Sequence, residues 1–334
     1  MRLLTRSDVQ RSISMREAVE IVKGAFIELS TNYAGGRADV PLRTALLQPK
    51  HDGVTLFMPG YLSGSESLAV KVVSVHNRNA ERSLPRINAV VIVIDPATGQ
   101  AVAAMEGGYL TALRTGAASG VATGLLARKD AEVAAIIGAG VQARAQMIAA
   151  AAVRPIKRFW IYAPHREQVD GMIVEMRPRL GPSIELLAAD SPSQAVREAH
   201  LVCAATTSST PVFDGADLRP GAHVNGVGSY KPEMREIDGV TLQRASKIVI
   251  DSREGALCEA GDLRIAIERG EIQPSDIYAE IGEIAAGLKT GRENDDEITY
   301  FKSVGNAAQD VAVAQAIYQQ ALRENLGVEI DLSK

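Results

Sequence analysis

A chain of 334 residues, of which 46% are hydrophobic and 23% are charged, has the composition of an ordinary globular protein with one or two domains. The formal net charge of −4 argues against a nucleic-acid partner, which would call for a basic face. No apolar run reaches the roughly 18 residues of a membrane-spanning helix. Residues 1–20 carry scattered charges, so no signal peptide is expected.

The two cysteines, Cys203 and Cys258, lie far apart and have no CxxC spacing. Such lone thiols favour a reducing cytoplasm over a disulfide framework. We expect both to be buried small side chains. The cysteines and the five histidines show no metal-ligand spacing, so no metal site is predicted.

The first third of the chain mixes a helix with several strands. Segment 14–30 places apolar side chains three and four residues apart, which predicts an amphipathic helix with Ser14 as its N-cap. Apolar, β-branched runs predict strands at 68–76 and 87–95. The small-residue segment 110–128 predicts a helix that packs closely on a neighbour.

From residue 133 onward, apolar strands alternate with helices. The predicted strands are 133–137, 157–163, 184–189, 200–206, 223–228 and 247–252, and the predicted helices include 141–152, 166–178 and 192–199. Strands separated by helices of this length favour a parallel, doubly wound sheet. After Asp251 the chain is predicted to become helical, with a final helix at 310–325.

The segment IIGAGVQARAQ, which begins at residue 136, follows an apolar strand and opens a helix. It fits the dinucleotide fingerprint G-x-G-x-x-G/A with Gly138, Gly140 and Ala143. The first glycine permits a tight turn, the second permits close approach of a pyrophosphate, and the helix N-terminus supplies amide donors. The alternative is a strand–turn–helix with incidental glycines, but the α/β run that follows favours a nucleotide site.

The strand after this turn predicts which cofactor binds. NAD enzymes of this kind end that strand with an acidic residue, which binds the ribose 2′-hydroxyl. Here Ala163 stands at that place and is followed by His165 and Arg166, so no carboxylate repels a 2′-phosphate. The pattern favours NADPH over NADH, unless Arg166 and Glu167 merely begin a solvated helix.

Four segments in the same order, LTALRTGAASGVA, IIGAGVQA, HVNGVGSYKPEMREID and DDEITYFKSVGNAAQDVAVA, make the chain similar to the ornithine cyclodeaminase/mu-crystallin family over nearly its whole length. That family includes amino-acid cyclodeaminases, alanine dehydrogenase, ketimine and pyrroline-carboxylate reductases, and mu-crystallin. The resemblance implies an α/β fold in which a Rossmann-type domain, residues 117–306, is inserted into an α+β substrate-binding and dimerisation domain, residues 1–116 and 307–334. It also implies a homodimer.

The resemblance assigns the substrate carboxylate to Arg43, Lys71 and Arg114, and it places Val304 in the segment that closes over the substrate. Arginine suits a carboxylate because its donors form a two-pronged fork. Since Lys71 lies in an apolar strand, desolvation should lower its pKa and make it a usable acid. The alternative for each cation is a surface or ion-paired residue.

The predicted cofactor-binding residues follow partly from the glycine turn and partly from the resemblance. They are Arg114, Thr115, Gly138, Ala139, Gly140, Val141, Gln142, His165, Arg166, Thr206, Thr207, Asn225, Val227, Gly228 and Ser303. Segments 206–207 and 225–228 end strands at the carboxyl edge of the predicted sheet, where nucleotides bind in such folds. Serine, threonine and glycine are also common in ordinary turns.

One departure from the family decides the predicted reaction. Where the cyclodeaminases carry GGDxPGK, this chain reads GSYKPEM, so Tyr230 stands at the aspartate position and Met234 at the lysine position. A phenol with an ordinary pKa near ~10 is a poor base at neutral pH. We therefore predict an NAD(P)H-dependent reductase of carboxylate-bearing imines, such as pyrroline-2-carboxylate or piperideine-2-carboxylate, with Lys71 as its catalytic residue.

Three alternatives remain open at this point: an ornithine cyclodeaminase, an amino-acid dehydrogenase that acts on alanine, and a non-catalytic binding protein. Arg86 stands where relatives have a small residue. It is a candidate for binding a second anionic group on the cofactor or the substrate.

Overall fold

The computed structural model describes residues 1–31 and 38–332. The chain divides into two compact units: unit 1 consists of Met1–Arg114 and Asn306–Lys334, and unit 2 of Thr115–Gly305. Within the described residues, no helix is long and apolar enough to cross a membrane. In the same ranges, no group of histidine, cysteine, aspartate and glutamate side chains is arranged to hold a metal ion.

The first part of the chain forms a run of strands flanked by helices. The elements are β1 (Arg2–Leu4), α1 (Arg6–Ser12), α2 (Met15–Thr31), β2 (Ala38–Asp39), β3 (Thr44–Gln48), β4 (Gly53–Leu62), β5 (Ser67–His76), β6 (Ile87–Ile94), β7 (Ala101–Glu106) and α3 (Gly107–Leu126). The predicted elements α2, β5, β6 and α3 are confirmed. Ser14 caps α2 as predicted, because its hydroxyl accepts from the backbone N–H of Glu17 while the Glu17 carboxylate accepts from the N–H of Ser14.

Unit 2 continues with alternating strands and helices. The elements are β8 (Val133–Ile137), α4 (Val141–Val153), β9 (Arg158–Tyr162), α5 (Arg166–Leu180), β10 (Glu185–Ala188), α6 (Pro192–Arg197), β11 (Leu201–Ala204), β12 (His223–Gly226), α7 (Gly239–Arg244), β13 (Lys247–Ile250), α8 (Arg253–Glu259), α9 (Gly261–Glu268), β14 (Ile277–Glu280), α10 (Ile281–Ala285) and β15 (Thr299–Lys302). Its eight strands lie in the order β10-β9-β8-β11-β12-β15-β13-β14, and every neighbouring pair is parallel. The predicted α/β fold with a parallel sheet is confirmed.

The prediction that the chain becomes helical after Asp251 was only partly right. The helices α8, α9 and α10 are present, and the predicted final helix at 310–325 is confirmed by a helix at Ala307–Arg323. Two strands of unit 2, β14 and β15, also follow Asp251, and β15 lies between β12 and β13 in the sheet. Each is only four residues long, which is too short for a clear periodic signal. The expectation for the cysteines was half right, because Cys203 is buried and Cys258 is exposed.

The last elements, α11 (Ala307–Arg323) and β16 (Val328–Glu329), complete unit 1. Its sheet has the order β16-β1-β7-β6-β5-β4-β2, with β3 paired to β4, and α11 packs on β4, β5 and β6. Along β5, buried and half-buried residues alternate strictly, as expected for a strand with one face against a core. The register places Lys71 between Met58 and Val91 on that buried face.

Candidate functional site

Unit 1 contains a buried charge cluster, made of Lys71 on β5, Arg114 on α3 and Asp310 on α11. The Lys71 Nζ atom lies 2.6 Å from one Asp310 oxygen, and the Arg114 Nε atom lies 3.0 Å from the other. The three side chains are at most 7% exposed. One carboxylate for two cations leaves surplus positive charge inside the unit. Buried charge is costly unless it is paired, so the charge cluster is suited to binding an anionic ligand.

Burial changes the acidity of Lys71. The pKa of Lys71 is lowered from 10.5 to about 7: desolvation is the largest cause, the charge of Arg114 acts in the same direction, and the ion pair with Asp310 opposes both effects. Arg43 lies close enough for its positive charge to contribute in the same direction as Arg114. The predicted depression of the Lys71 pKa is confirmed, and the three predicted cations lie near one another. A lysine with this pKa both gives and takes a proton near neutral pH.

The orientation of Arg114 is fixed by two neighbouring residues on α11. Its Nε donates to Asp310, and its Nη1 donates to the Gln309 side-chain oxygen at 2.9 Å. Nη2 has no partner among the described residues. Sequence reasoning assigned no role to either α11 residue, although two adjacent polar side chains in the small-residue run AAQDVAVA are a signal. Both are buried where they meet cations: Asp310 contacts Lys71 and Arg114, and Gln309 contacts Arg114.

The glycine turn between β8 and α4 has the geometry that a dinucleotide requires. Gly138 has a φ of +117°, and a Cβ atom there would lie 2.6 Å from the carbonyl oxygen of Ala205. Gly140 has a φ of −86° as the N-cap of α4, and a Cβ atom there would meet nothing within 4 Å. The open space at Gly140 and the N–H groups that begin the 13-residue helix α4 fit a pyrophosphate.

The carboxyl ends of β11 and β12 are tied together by Glu236, which is fully buried. One Glu236 oxygen accepts from the backbone N–H and hydroxyl of Thr206, and the other accepts from the N–H groups of Gly228 and Ser229. Burial raises the pKa of Glu236. A Cβ atom at Gly228 would lie 2.1 Å from the Thr206 carbonyl oxygen, so only glycine permits this approach. The sequence alone did not point to Glu236.

Several side chains predicted to contact the cofactor are used inside unit 2 instead. The Thr206 hydroxyl donates to Glu236 at 2.8 Å, and the Ser303 hydroxyl donates to Asp251 at 2.8 Å. Asn225 is fully buried, and its amide nitrogen donates to the Thr123 hydroxyl at 3.0 Å. These residues lie at or near strand ends on the predicted edge, but the polar atoms of their side chains make hydrogen bonds inside the unit.

The remaining predicted cofactor residues fall into two groups by exposure. Residues at least partly open to solvent are Ala139, Val141, Gln142, His165, Arg166 and Thr207, whereas Thr115 and Val227 are buried. Val304, which was predicted to bind the substrate, is also buried. The Arg166 guanidinium is not free, because it lies 3.0 Å from an Asp170 oxygen and 3.3 Å from an Asp190 oxygen. These ion pairs are exposed, and exposed pairs contribute little to stability.

Two of the residues at which the chain departs from the family, Tyr230 and Arg86, differ in their surroundings. Tyr230 is half-buried and packs against the hydrophobic core of unit 2. Arg86 is exposed and donates from Nε to the Asn77 side-chain oxygen at 2.9 Å. Tyr230 therefore brings no carboxylate to its position, and Arg86 lies in a surface hydrogen bond.

Comparisons with known proteins agree on one family. The model of the ornithine cyclodeaminase/mu-crystallin family matches residues 1–325. A Delta(1)-pyrroline-2-carboxylate reductase from Bacillus cereus is 38% identical over 331 residues, which cover 99% of this chain and 100% of the relative.

Two solved structures resemble the whole chain. The Delta(1)-pyrroline-2-carboxylate reductase of Thermococcus litoralis, in complex with NADH and L-proline, has a TM-score of 0.93 and 45% identity, and covers 99% of this chain and 100% of its own. An archaeal alanine dehydrogenase dimer with bound NAD has a TM-score of 0.90 and 36% identity, and covers 99% of each chain.

A test of the glycine turn is the substitution Gly140→Ala. The added methyl group meets no protein atom, so the free energy of unfolding should stay within about 1 kcal/mol of the parent, the cost of a poorer N-cap. The same methyl group occupies the approach of a pyrophosphate, so the Kd for NADPH or NADH should rise by at least about tenfold, or 1.4 kcal/mol. Fluorescence titration measures that Kd.

Gly171→Ala on α5 is the matched control, since a Cβ atom there also meets nothing within 4 Å. It should leave nucleotide binding unchanged. Equal affinity of Gly140→Ala and the parent protein would contradict a pyrophosphate site at this turn.

Proposed function

Because the chain belongs to the ornithine cyclodeaminase/mu-crystallin family, we propose that it is a nicotinamide-dependent reductase of imines that carry a carboxylate. Its substrates are cyclic ketimines such as Δ1-pyrroline-2-carboxylate and Δ1-piperideine-2-carboxylate. The single observation that carries the proposal is the charge cluster, whose surplus positive charge suits one substrate carboxylate. Two full-length relatives named as Delta(1)-pyrroline-2-carboxylate reductases support the choice of substrate.

The residues of unit 1 have distinct tasks in this reaction. Arg114 binds the substrate carboxylate from a position fixed by Asp310 and Gln309, and Arg43 adds a second positive charge. Lys71 donates a proton to the imine nitrogen, which gains one as the C=N bond becomes a C–N bond. The bound nicotinamide supplies the hydride for the carbon atom. Asp310 holds the Lys71 ammonium in one direction, which favours transfer in a defined geometry.

The division of the chain into two units supports the assignment of a different function to each unit. Unit 2, with its parallel sheet and glycine turn, is the nucleotide-binding domain in this proposal. Unit 1 is the substrate-binding and dimerisation domain. The absence of a carboxylate at Tyr230 favours reduction over cyclodeamination, because ring closure by the family's mechanism uses an aspartate at that position.

For the cofactor, we propose NADPH in preference to NADH. Ala163 at the end of β9 brings no carboxylate against a 2′-phosphate, and Arg166 begins α5 two residues beyond Pro164. Its ion pairs with Asp170 and Asp190 are exposed, so a phosphate competes for the guanidinium at little cost.

The two cysteines, which form no disulfide, support a cytoplasmic location, where such thiols stay reduced.

We also propose a homodimer, formed through one face of the unit 1 sheet. The face opposite α11 carries apolar side chains in aligned rows, such as Phe57, Val72 and Val90 across β4, β5 and β6. Val90 is 38% exposed and Leu46 on β3 is 52% exposed. Partly exposed apolar side chains aligned in this way favour an interaction surface, and the archaeal alanine dehydrogenase relative is a dimer.

The direct test is a steady-state panel that offers pyrroline-2-carboxylate, piperideine-2-carboxylate, pyruvate with ammonia, and ornithine, each with NADPH and NADH. We expect oxidation of the cofactor with the two cyclic imines, with a higher kcat/KM for NADPH. Formation of proline and ammonia from ornithine, without net cofactor turnover, would instead establish a cyclodeaminase. Faster turnover with pyruvate and ammonia would establish an alanine dehydrogenase.

The pH dependence of kcat/KM tests the role of Lys71. An acid must carry its proton, so activity should be constant below the Lys71 pKa of about 7 and fall above it. In Lys71→Arg the side chain stays charged at all these pH values, so activity should drop by about 100-fold or more and the residual rate should lose this alkaline fall. If the fall persists in Lys71→Arg, another group is responsible.

Sedimentation velocity tests the dimer. The parent protein should sediment with twice the mass of one chain, and Val90→Glu should shift it towards the monomer because a charge is buried in an apolar interface. Val174→Glu is the control, since Val174 is 74% exposed on α5, and it should remain a dimer. A monomeric parent protein would contradict the proposal.

A further inference from the structure

We propose that Gln309 is a further substrate-binding residue, whose side-chain amide donates a hydrogen bond to the carboxylate that Arg114 binds. This inference rests on the proposed function, because it concerns the same ligand. It adds a neutral donor to a site that so far consists of cations. The residue lies at the third position of α11, directly before Asp310.

The orientation of the Gln309 carboxamide follows from chemistry. Its oxygen accepts from Arg114 Nη1 at 2.9 Å. Arginine has donors only, so the atom that faces it must be the oxygen, and a flipped amide would set two donors against each other. The amide nitrogen, Nε2, therefore points elsewhere. It is buried and has no hydrogen-bond partner among the described residues.

A buried amide donor without an acceptor is unfavourable, and such groups are rare in folded proteins. Gln309 is fully buried, so bulk water does not satisfy Nε2. The adjacent Arg114 offers Nη2, which is also without a described partner. Gln309 and Arg114 are hydrogen-bonded to each other, and each has one donor, Nε2 and Nη2, without a described partner. Next to the surplus positive charge, these two donors suit the two oxygens of one carboxylate.

A second unsatisfied carboxamide lies on the same turn. Asn306 is the N-cap of α11, yet its side chain makes no capping hydrogen bond. Both its amide nitrogen and its oxygen are buried without a partner in the described part of the chain. Residues three and four apart share a helix face, so Asn306 lies on the face that carries Gln309 and Asp310. The first turn of α11 therefore carries two amide nitrogens without a described partner, those of Asn306 and Gln309.

The substitution Gln309→Glu tests whether this residue donates to the substrate. Glutamate keeps an oxygen for Arg114 Nη1 and replaces the donating nitrogen with a second oxygen, which repels a carboxylate. If Nε2 donates to the substrate carboxylate, binding should weaken. The added carboxylate also reduces the surplus positive charge of the charge cluster, so a neutral variant must be compared with it. Gln309→Met removes both hydrogen bonds and serves as a second variant.

The measurement is calorimetric binding of L-proline to the NADPH-saturated protein, together with kcat/KM for pyrroline-2-carboxylate. We expect Gln309→Glu and Gln309→Met each to raise the Kd for L-proline by about 10- to 100-fold, the worth of a hydrogen bond to a charged group, with the Kd for NADPH within twofold of the parent. Gln319→Glu, at an exposed position of the same helix, should change neither value.

The outcomes are distinct. L-Proline affinity within threefold of the parent in Gln309→Glu would overturn the inference, because Arg114 orientation alone would then account for Gln309. Failure of the parent protein to bind L-proline would overturn it as well. A parent protein that binds L-proline, loses it in both variants and yet reduces no cyclic imine would contradict the proposed function and leave the Gln309 contact in place.

Discussion

The carboxylate of Asp310 is the constraint on which the rest of unit 1 depends. It pairs with Lys71 through one oxygen and with Arg114 through the other, so a single side chain from α11 fixes one cation from β5 and one from α3. Without it, two positive charges would face each other in a dry interior, which is strongly unfavourable. With it, both cations are held in the folded chain, and the low Lys71 pKa comes from burial and from the charge of Arg114, which the ion pair with Asp310 only partly offsets. The chemistry of the site thus follows from which helix covers the sheet.

Unit 2 also contains buried carboxylates, but these hold backbone segments in place. Glu236 joins the ends of β11 and β12, and Asp251, at the end of β13, accepts from the backbone N–H groups of Val304 and Gly305 after β15. Burial raises the pKa of both groups, and the hydrogen bonds they accept oppose that rise. Asp262 links this arrangement to Lys302 at 2.7 Å. The segments that follow four neighbouring strands are therefore held by buried carboxyl side chains at the sheet edge where nucleotides bind in such folds.

Much of the fold, and part of the candidate site, could be predicted from local sequence patterns. The six strands expected between residues 133 and 252 are present, and the glycine turn and the low pKa of Lys71 followed from local rules. The roles of Asp310 and Glu236 did not. Lys71, the partner of Asp310, is 239 residues away, and Glu236 accepts largely from backbone N–H groups, which every residue type except proline has. The direction of side chains could not be predicted from the sequence either. The segments that contain Asn225 and Ser303 were correctly placed at strand ends, but the polar side-chain atoms of these two residues make hydrogen bonds inside the unit. Short strands such as β14 are fixed by their neighbours rather than by their own periodicity.

The position of β15 has a consequence for how the chain acquires its fold. During synthesis β12 and β13 emerge before β15, yet in the finished sheet they are not neighbours. The strands β10, β9, β8, β11 and β12 form one piece, β13 and β14 form another, and only four residues near the end of unit 2 join them. Until those residues leave the ribosome, two strand edges with unpaired backbone groups stay open, a state prone to mispairing and aggregation. The parallel sheet is therefore completed from its interior, by one of the last strands to be made.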